Sequence, residues 1–383
     1  MKTVKLYDND SYLSEFSAKV ISCEADGDGF LTVLDKTAFF PEGGGQKYDT
    51  GSIDGIEVTD VQIKNGVITH RTASPVEVGK EVQCVLDWDT RFRRMQNHSG
   101  EHIVSGIAHS LYGCENVGFH LGDEVTIDFD IELDEAQIKN VEKLSNEAVY
   151  KNLKITAEYP DSETLEKLDY RSKLELTEDV RIVTIDGVDI CACCAPHVSR
   201  TGEIGIIKVL SFMRHRGGVR LFVKCGLDAF EDLDIKQNNL SKIAVALCAK
   251  PNETAEIFDK FFNETAALRQ KISQLSKEIS QFKAQSIEDT DGNIILFEDG
   301  ADMNSLRPIV LDGAKHAGGL CAAFSGSDES GYIYVISSNS LKLRSMAKEI
   351  NTALNGKGGG SDELLQGSVR ASREAIEKYF SEV

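Results

Sequence analysis

His98-Ser99-Gly100-Glu101-His102 sets two imidazoles four positions apart. In a helix, residues i and i+4 share a face, so both rings can converge on one ion. Further along, Cys193-Cys194-Ala195-Pro196-His197 adds a thiolate and a third imidazole at the same spacing. Neither pair completes a site alone. Three nitrogens and one sulfur suit tetrahedral Zn2+, so the fold must bring His98, His102, Cys193 and His197 together. One choice stays open at this level. Cys191 and Cys194 form a Cys-x-x-Cys pair beside Cys193, itself a zinc or redox spacing.

Working outward from these pairs, 383 residues allow two or three domains with real cores. No apolar run reaches the roughly eighteen residues of a membrane helix, and the N-terminus lacks the apolar core of a secretion signal. No membrane partner is expected. Nine unevenly spaced cysteines argue against a disulfide framework and for a reducing cytoplasm. A net charge of −20 discourages a nucleic-acid partner at face value. The charge is uneven, however. Residues 121–180 carry 17 acidic and 7 basic side chains. Arg91, Arg93 and Arg94 precede the histidine pair, and Lys208, Arg214, Arg216, Arg220 and Lys224 follow the second pair. Positive charge near the expected metal would let a polyanion approach.

The pattern predicts an α+β protein in four parts. Residues 1–87 alternate short apolar stretches with Asp-Gly and Asn-Gly turns, the mark of a small antiparallel β-barrel. Asn65-Gly66 is a two-residue hairpin signal. Residues 88–235 read as an α+β domain around the metal, with a helix over 89–112 and another starting at Asp134 with Gln137 in capping position. Residues 236–288 read as a helical linker. In it Leu268, Ile272, Leu275, Ile279 and Phe282 alternate spacings of four and three, a coiled-coil seam. Residues 289–383 read as an α/β module with strands at 293–297, 308–311, 319–324 and 332–336 and helices over 341–354 and 370–380.

Phe39-Phe40-Pro41-Glu42-Gly43-Gly44-Gly45-Gln46 is the second chemical feature. Three glycines let backbone approach a ligand, and their N–H groups can form an anion nest. Gly356-Lys357-Gly358-Gly359-Gly360 lacks the frame of a nucleotide-hydrolysing phosphate loop and reads as a Gly/Lys loop between two helices.

In this order, the Phe-Phe-Pro-Glu-Gly-Gly-Gly-Gln, His-x-x-x-His and Cys-x-x-x-His motifs resemble the editing domain of alanyl-tRNA synthetase and the freestanding AlaX editing proteins. The last module, with Lys357, Gly358 and Gly359, resembles the DHH-associated domain of that synthetase. No aminoacylation domain precedes residue 1, so the resemblance implies a trans-editing protein of the long AlaX type. It implies Zn2+ on His98, His102, Cys193 and His197. Gln46, Gly43, Gly44 and Gly45 would line an aminoacyl pocket, and the Thr37 hydroxyl would recognise serine. Lys357, Gly358 and Gly359 would contact tRNA, together with Arg216 and Arg220. The implied activity is hydrolysis of Ser-tRNA(Ala), and of Gly-tRNA(Ala), with Ala-tRNA(Ala) spared. A homodimer through residues 253–285 or the C-terminal domain is also implied. Here Cys-Cys-Ala-Pro-His replaces the family's Cys-Gly-Gly-Thr-His, so Pro196 removes a hydroxyl and an N–H. The alternative is a non-catalytic tRNA-binding protein with a structural zinc.

Overall fold

In a computed structural model, residues 2–122, 124–172 and 180–382 are described. The acidic run at 121–180 therefore lies partly outside the described residues. The chain divides into two compact units, Met1–Asn239 and Leu240–Val383.

The first unit begins with strands β1 (Val4–Lys5), β2 (Glu15–Asp26), β3 (Gly29–Leu34), β4 (Lys36–Thr37), β5 (Gly51–Ile53), β6 (Ile56–Lys64), β7 (Val67–Thr72) and β8 (Glu81–Leu86). Six of them close a barrel in the order β2-β3-β7-β6-β5-β8, as the alternating pattern predicts. In β8, Val82, Cys84 and Leu86 point inward while Glu81, Gln83 and Val85 point out. Asn65 and Gly66 both take positive φ, 52° and 78°, and join β6 to β7 in a tight turn. Phe16, Phe39, Phe40, Ile53 and Ile68 fill the barrel.

Helix α1 (Trp88–Tyr112) follows. The Asp87 carboxylate caps it by accepting from Thr90 N–H at 3.2 Å, and Gly113 ends it in the left-handed region. Strands β9 (Asn116–Leu121) and β10 (Val125–Phe129) lead to α2 (Glu135–Tyr150), which opens with the Asp134–Gln137 capping box. Then come β11 (Ile155–Glu158), α3 (Ser162–Lys167), β12 (Ile182–Ile185), β13 (Asp189–Ala192), β14 (Ile207–His215) and β15 (Gly218–Cys225). They form a four-stranded sheet β14-β15-β10-β9 and a three-stranded sheet β11-β12-β13. Met95, Ile103, Val104 and Ala108 of α1 share one core with both sheets.

Helix α4 (Gly226–Ala246) crosses the boundary at Asn239, and α5 (Thr254–Gln285) runs 32 residues in the second unit. The seam residues of α5 are uncovered, with Leu268 and Ile272 each 63% exposed and Phe282 72%. Beyond α5 lie β16 (Ile294–Phe297), α6 (Met303–Gly313), β17 (Cys321–Ser327), β18 (Gly331–Ser337), α7 (Leu343–Ala353), β19 (Gly356–Gly360), β20 (Leu364–Val369) and α8 (Arg373–Glu382). The sheet order is β16-β17-β18-β20-β19.

Two expectations are corrected here. Pro308–Leu311 is not a strand but the middle of α6. Asp302 caps that helix at Ser305 N–H, and Leu306, Ile309, Val310 and Gly313 repeat at helical period on its buried face. A local run of apolar residues cannot distinguish the two. The Gly/Lys segment is not a loop but an edge strand, paired antiparallel with β20. A Cβ at Gly358 would fall 2.1 Å from the Tyr334 hydroxyl, so glycine is needed there for packing.

Candidate metal centre

Helix α1 carries His98 and His102 one turn apart, their rings 5.6 Å between centroids. The segment after β13 brings His197 to 5.0 Å from His98 and 4.8 Å from His102. Cys193 Sγ stands 3.4 Å from both His98 Nε2 and His197 Nε2. One ligand atom from each of His98, His102, Cys193 and His197 lies within 4.8 Å of the others. Tetrahedral bonds of about 2.0–2.1 Å to nitrogen and 2.3 Å to sulfur would place ligand atoms roughly 3.3–3.6 Å apart, so the set fits zinc in size and donor type.

Each imidazole is also held from behind, which leaves its Nε2 for the centre. His98 Nδ1 donates to Gln46 Oε1 at 2.9 Å. His102 Nδ1 donates to Asp189 Oδ2 at 2.8 Å, and Arg171 grips that same carboxylate through Nε and Nη2. His197 Nδ1 lies 3.2 Å from Ser99 Oγ, which also accepts the Val198 N–H. Such outer partners fix ring orientation and ligand basicity. Buried Arg181 donates to the carbonyls of Cys193 and Ala195 and shapes the Cys-to-His turn.

The electrostatics favour a thiolate at Cys193 and a neutral ring at His197. Burial favours a neutral Cys193 thiol, yet the imidazoles of His98 and His197 outweigh it and hold Cys193 well below the usual thiol range. Burial pushes His197 down to about 3 and keeps its ring neutral, with a lone pair available. Burial would also raise Asp189, but His102 and Arg171 hold it low. Among the neighbouring thiols, Cys191 groups with His102 and Asp189 rather than with all three imidazoles. Cys194 is exposed and lies against Gly44. The geometry therefore favours Cys193.

The glycine segment reaches the centre through Gln46. Gly43 and Gln46 exchange backbone hydrogen bonds of 3.1 and 3.0 Å around Gly44 and Gly45, both at positive φ. This is a two-residue turn, and a Cβ on Gly45 would fall 2.3 Å from the Phe119 carbonyl oxygen. The Gly43 N–H thus serves the turn rather than an open nest. Gln46 is 1% exposed, and its Nε2 is buried without a hydrogen-bond partner. Arg91 is fully buried, pairs with Asp49 and holds the Ala38 carbonyl, while Asp49 accepts the Phe40 N–H at 2.7 Å.

Thr37 is fully buried, not open to solvent. His70 Nδ1 lies 3.1 Å from the Thr32 carbonyl and must donate to it, so His70 Nε2 is the acceptor. The Thr37 hydroxyl consequently donates to His70 Nε2 at 2.9 Å and accepts the Phe39 N–H at 3.1 Å. Burial lowers His70 to about 4 and keeps it neutral.

The basic clusters differ from expectation. Arg220 is held at both ends of the Asp128 carboxylate, Lys208 pairs with Glu142, Arg214 with Glu132 and Lys224 with Asp232. Arg93 meets Asp89, Asp228 and Glu231. Arg216 sits in the β14–β15 turn at φ 47°. Lys357, Gly358 and Gly359 lie on edge strand β19 of the second unit. Sequence reasoning missed Asp189, Arg171, Ser99, Arg181 and His70. It also missed buried Glu101, which accepts from Ser105 and Asn116 and whose Oε2 is 4.0 Å from His102 Nε2. Only Glu101 carried a signal, an acid between two ligands on a buried helix face.

A barrel joined to an α+β layer around one histidine–cysteine centre is the class these observations define. Residues 7–90 match the family of class II (A) tRNA synthetases, and residues 180–222 match the threonyl and alanyl tRNA synthetase second additional domain. The chain is 31% identical to the alanyl-tRNA editing protein AlaX-L of Pyrococcus horikoshii, over 97% of this chain and 96% of that one. It is 30% identical to the alanine–tRNA ligase of Pyrococcus abyssi over 98% of this chain and 43% of the ligase. It is 35% identical to the Halobacterium salinarum ligase over 74% of this chain and 32% of the ligase. It thus spans less than half the length of the ligases it matches. The C-Ala domain of Aquifex aeolicus alanyl-tRNA synthetase covers 24% of this chain at 18% identity with a TM-score of 0.21, too low to assign a fold. The chain belongs to the alanyl-tRNA editing protein family, AlaX, in its long form. Among the described residues no helix is long and apolar enough to cross a membrane.

Proposed function

We propose that this protein is a cytoplasmic trans-editing deacylase that hydrolyses the ester of Ser-tRNA(Ala), takes Gly-tRNA(Ala) as a second substrate and spares Ala-tRNA(Ala). The observation that carries the reading is Gln46. Its oxygen orients a metal-facing histidine while its buried amide nitrogen has no partner, which is costly unless a substrate accepts from it. His98, His102, Cys193 and His197 would hold Zn2+, which supplies Lewis acidity or orients a polar substrate group. Gln46 Nε2 would donate to the substrate ester. The short turn of Gly43, Gly44 and Gly45 would let the aminoacyl end pass close to backbone.

Alanine is spared by what it lacks. The Thr37 proton is committed to His70 and the side chain is fully buried, so a substrate would reach only its remaining lone pair, and only once the wall over it opens. A serine hydroxyl could donate to it, whereas alanine would leave it unanswered. Sites that bond a substrate hydroxyl discriminate by ~10^4 or more. Contacts from Arg216, Lys357, Gly358 and Gly359 to tRNA(Ala), and a homodimer through residues 253–285 or the C-terminal domain, belong to the same reading. Arg220 would contribute least, because Asp128 already neutralises it.

Deacylation of serylated and alanylated tRNA(Ala), with zinc quantitation, tests this reading directly. Thr37→Val keeps the shape and removes the hydroxyl. It should lower serine-ester hydrolysis and narrow the gap to alanine; unchanged selectivity refutes that role. A second reading has support of its own. Four protein ligands make a closed site, which is the form of structural zinc. Zinc-loaded protein that binds tRNA but cleaves neither ester would establish it.

A further inference from the structure

One cavity in Leu240–Val383 has a charge balance unlike the rest of the chain. It opens between α5 and the first turns of α6, measures about 690 Å3, and is lined by Arg269, Lys277 and Arg307. Among the described residues, none of these three cations has a carboxylate within ion-pair distance. Arg307 donates only to the amide oxygen of Gln366, at 2.7 Å, and its Nε is buried without a partner. The one acid on the wall, Asp302, caps α6 at Ser305 N–H. The formal balance of the wall is therefore positive in a chain of net charge −20. By contrast, Arg93, Lys208, Arg214, Arg220 and Lys224 of the first unit are each matched by an acid.

Three cations that line one cavity without a paired carboxylate favour an anion there. The cavity falls within the usual range of ligand sites, ~300–1,000 Å3, and is larger than one phosphate needs. Ser273, Ser276 and Ser305 offer hydroxyl donors to phosphate oxygens. Ile272 and Pro308 give an apolar wall for a ribose or base. We propose that this cavity binds the phosphodiester backbone of RNA, with Arg269 and Lys277 on the phosphates and the Arg307 guanidinium at its floor. The proposal rests on tRNA being the substrate, as argued above, and locates a contact away from the glycine strand β19.

The test compares two double variants of the full-length chain. Arg269→Ala with Lys277→Ala removes two cavity cations. Lys260→Ala with Lys271→Ala removes two exposed α5 lysines that do not line the cavity. Binding of uncharged tRNA(Ala) is measured from about 50 to 200 mM salt. The cavity pair should bind about tenfold more weakly, with a salt slope shallower by roughly 1.5, from about 0.7–0.9 per lost phosphate contact. The control pair should behave as the unaltered chain. Equal losses in both pairs, or no loss in the cavity pair, would overturn an RNA site. A parallel calorimetric titration with AMP distinguishes the source of the phosphate. AMP binding lost in the cavity pair, with tRNA binding unchanged, would reassign the cavity to free nucleotides. Hydrolysis of a serylated acceptor minihelix should be unaffected in the cavity pair. If the unaltered chain hydrolyses no ester at all, the deacylase reading fails while the binding comparison still decides this site.

Discussion

The candidate metal centre of the first unit and the α5–α6 cavity of the second treat charge in opposite ways. At the centre every imidazole has a partner behind it, and the Asp189 carboxylate is shared by His102 and Arg171. In the cavity Arg269, Lys277 and Arg307 have no carboxylate within ion-pair distance among the described residues, and the one acid on the wall, Asp302, caps α6 instead. The difference follows burial. His98 and His102 are each 2% exposed, where an unanswered polar group costs about 1–3 kcal/mol or more. Exposed Arg269 and Lys277 are solvated, so their charge can wait for a ligand. A built centre suits chemistry that tolerates no misplacement, whereas an open basic cavity suits reversible, salt-sensitive binding.

The largest effect should come from removing a ligand. Cys193→Ala should lose the bound zinc equivalent and at least 100-fold in ester hydrolysis, as a removed first-sphere group generally costs more than the ~10–100-fold of an outer partner. Metal analysis beside a deacylation assay checks it. Cys191→Ala and Cys194→Ala should keep the metal, and zinc retained by Cys193→Ala would move the assignment to one of them.

Next in size is Asp189→Asn, expected to weaken zinc affinity by about 10–100-fold while the fold persists. Competition with a chelator measures this. An unchanged affinity would mean that Asp189 serves Arg171 alone.

A smaller effect separates the barrel interior from both sites. His70 titrates near 4 when folded and near 6.5 when unfolded. Between those values the unfolded chain binds the extra proton, so stability rises with pH and is lost as pH falls. At pH 5 the loss from His70 is roughly 2 kcal/mol. Urea unfolding at pH 7 and pH 5 should show this drop in the unaltered chain and a smaller one in His70→Gln.

The smallest effect is expected at Arg220. Because Asp128 already grips it, Arg220→Ala should change tRNA affinity by less than about twofold, as for most exposed ion pairs. A tenfold loss there would erase the contrast between the two regions.

Much of this was legible in the chain. Metal-ligand types at helical spacing are few, so His98, His102, Cys193 and His197 stood out. Asn65-Gly66 and the Asp134–Gln137 box were readable because turns and caps are local chemistry. The basic clusters misled because the partners that neutralise them are remote. Arg220 meets Asp128 across 92 positions and Arg93 meets Asp228 across 135. Pro308–Leu311 misled because a short apolar run has no period of its own.

Sequence alone determined the three histidines and the cysteine cluster as candidate ligands, the barrel-forming alternation and the long apolar seam of α5, since these follow from side-chain type and spacing. Only the tertiary structure decided which cysteine faces the three imidazoles, which acid stands behind His102, and which cations remain unanswered. Those outcomes depend on the packing of β13 beside α1 and of α5 against α6, and no local spacing encodes a distance between remote segments.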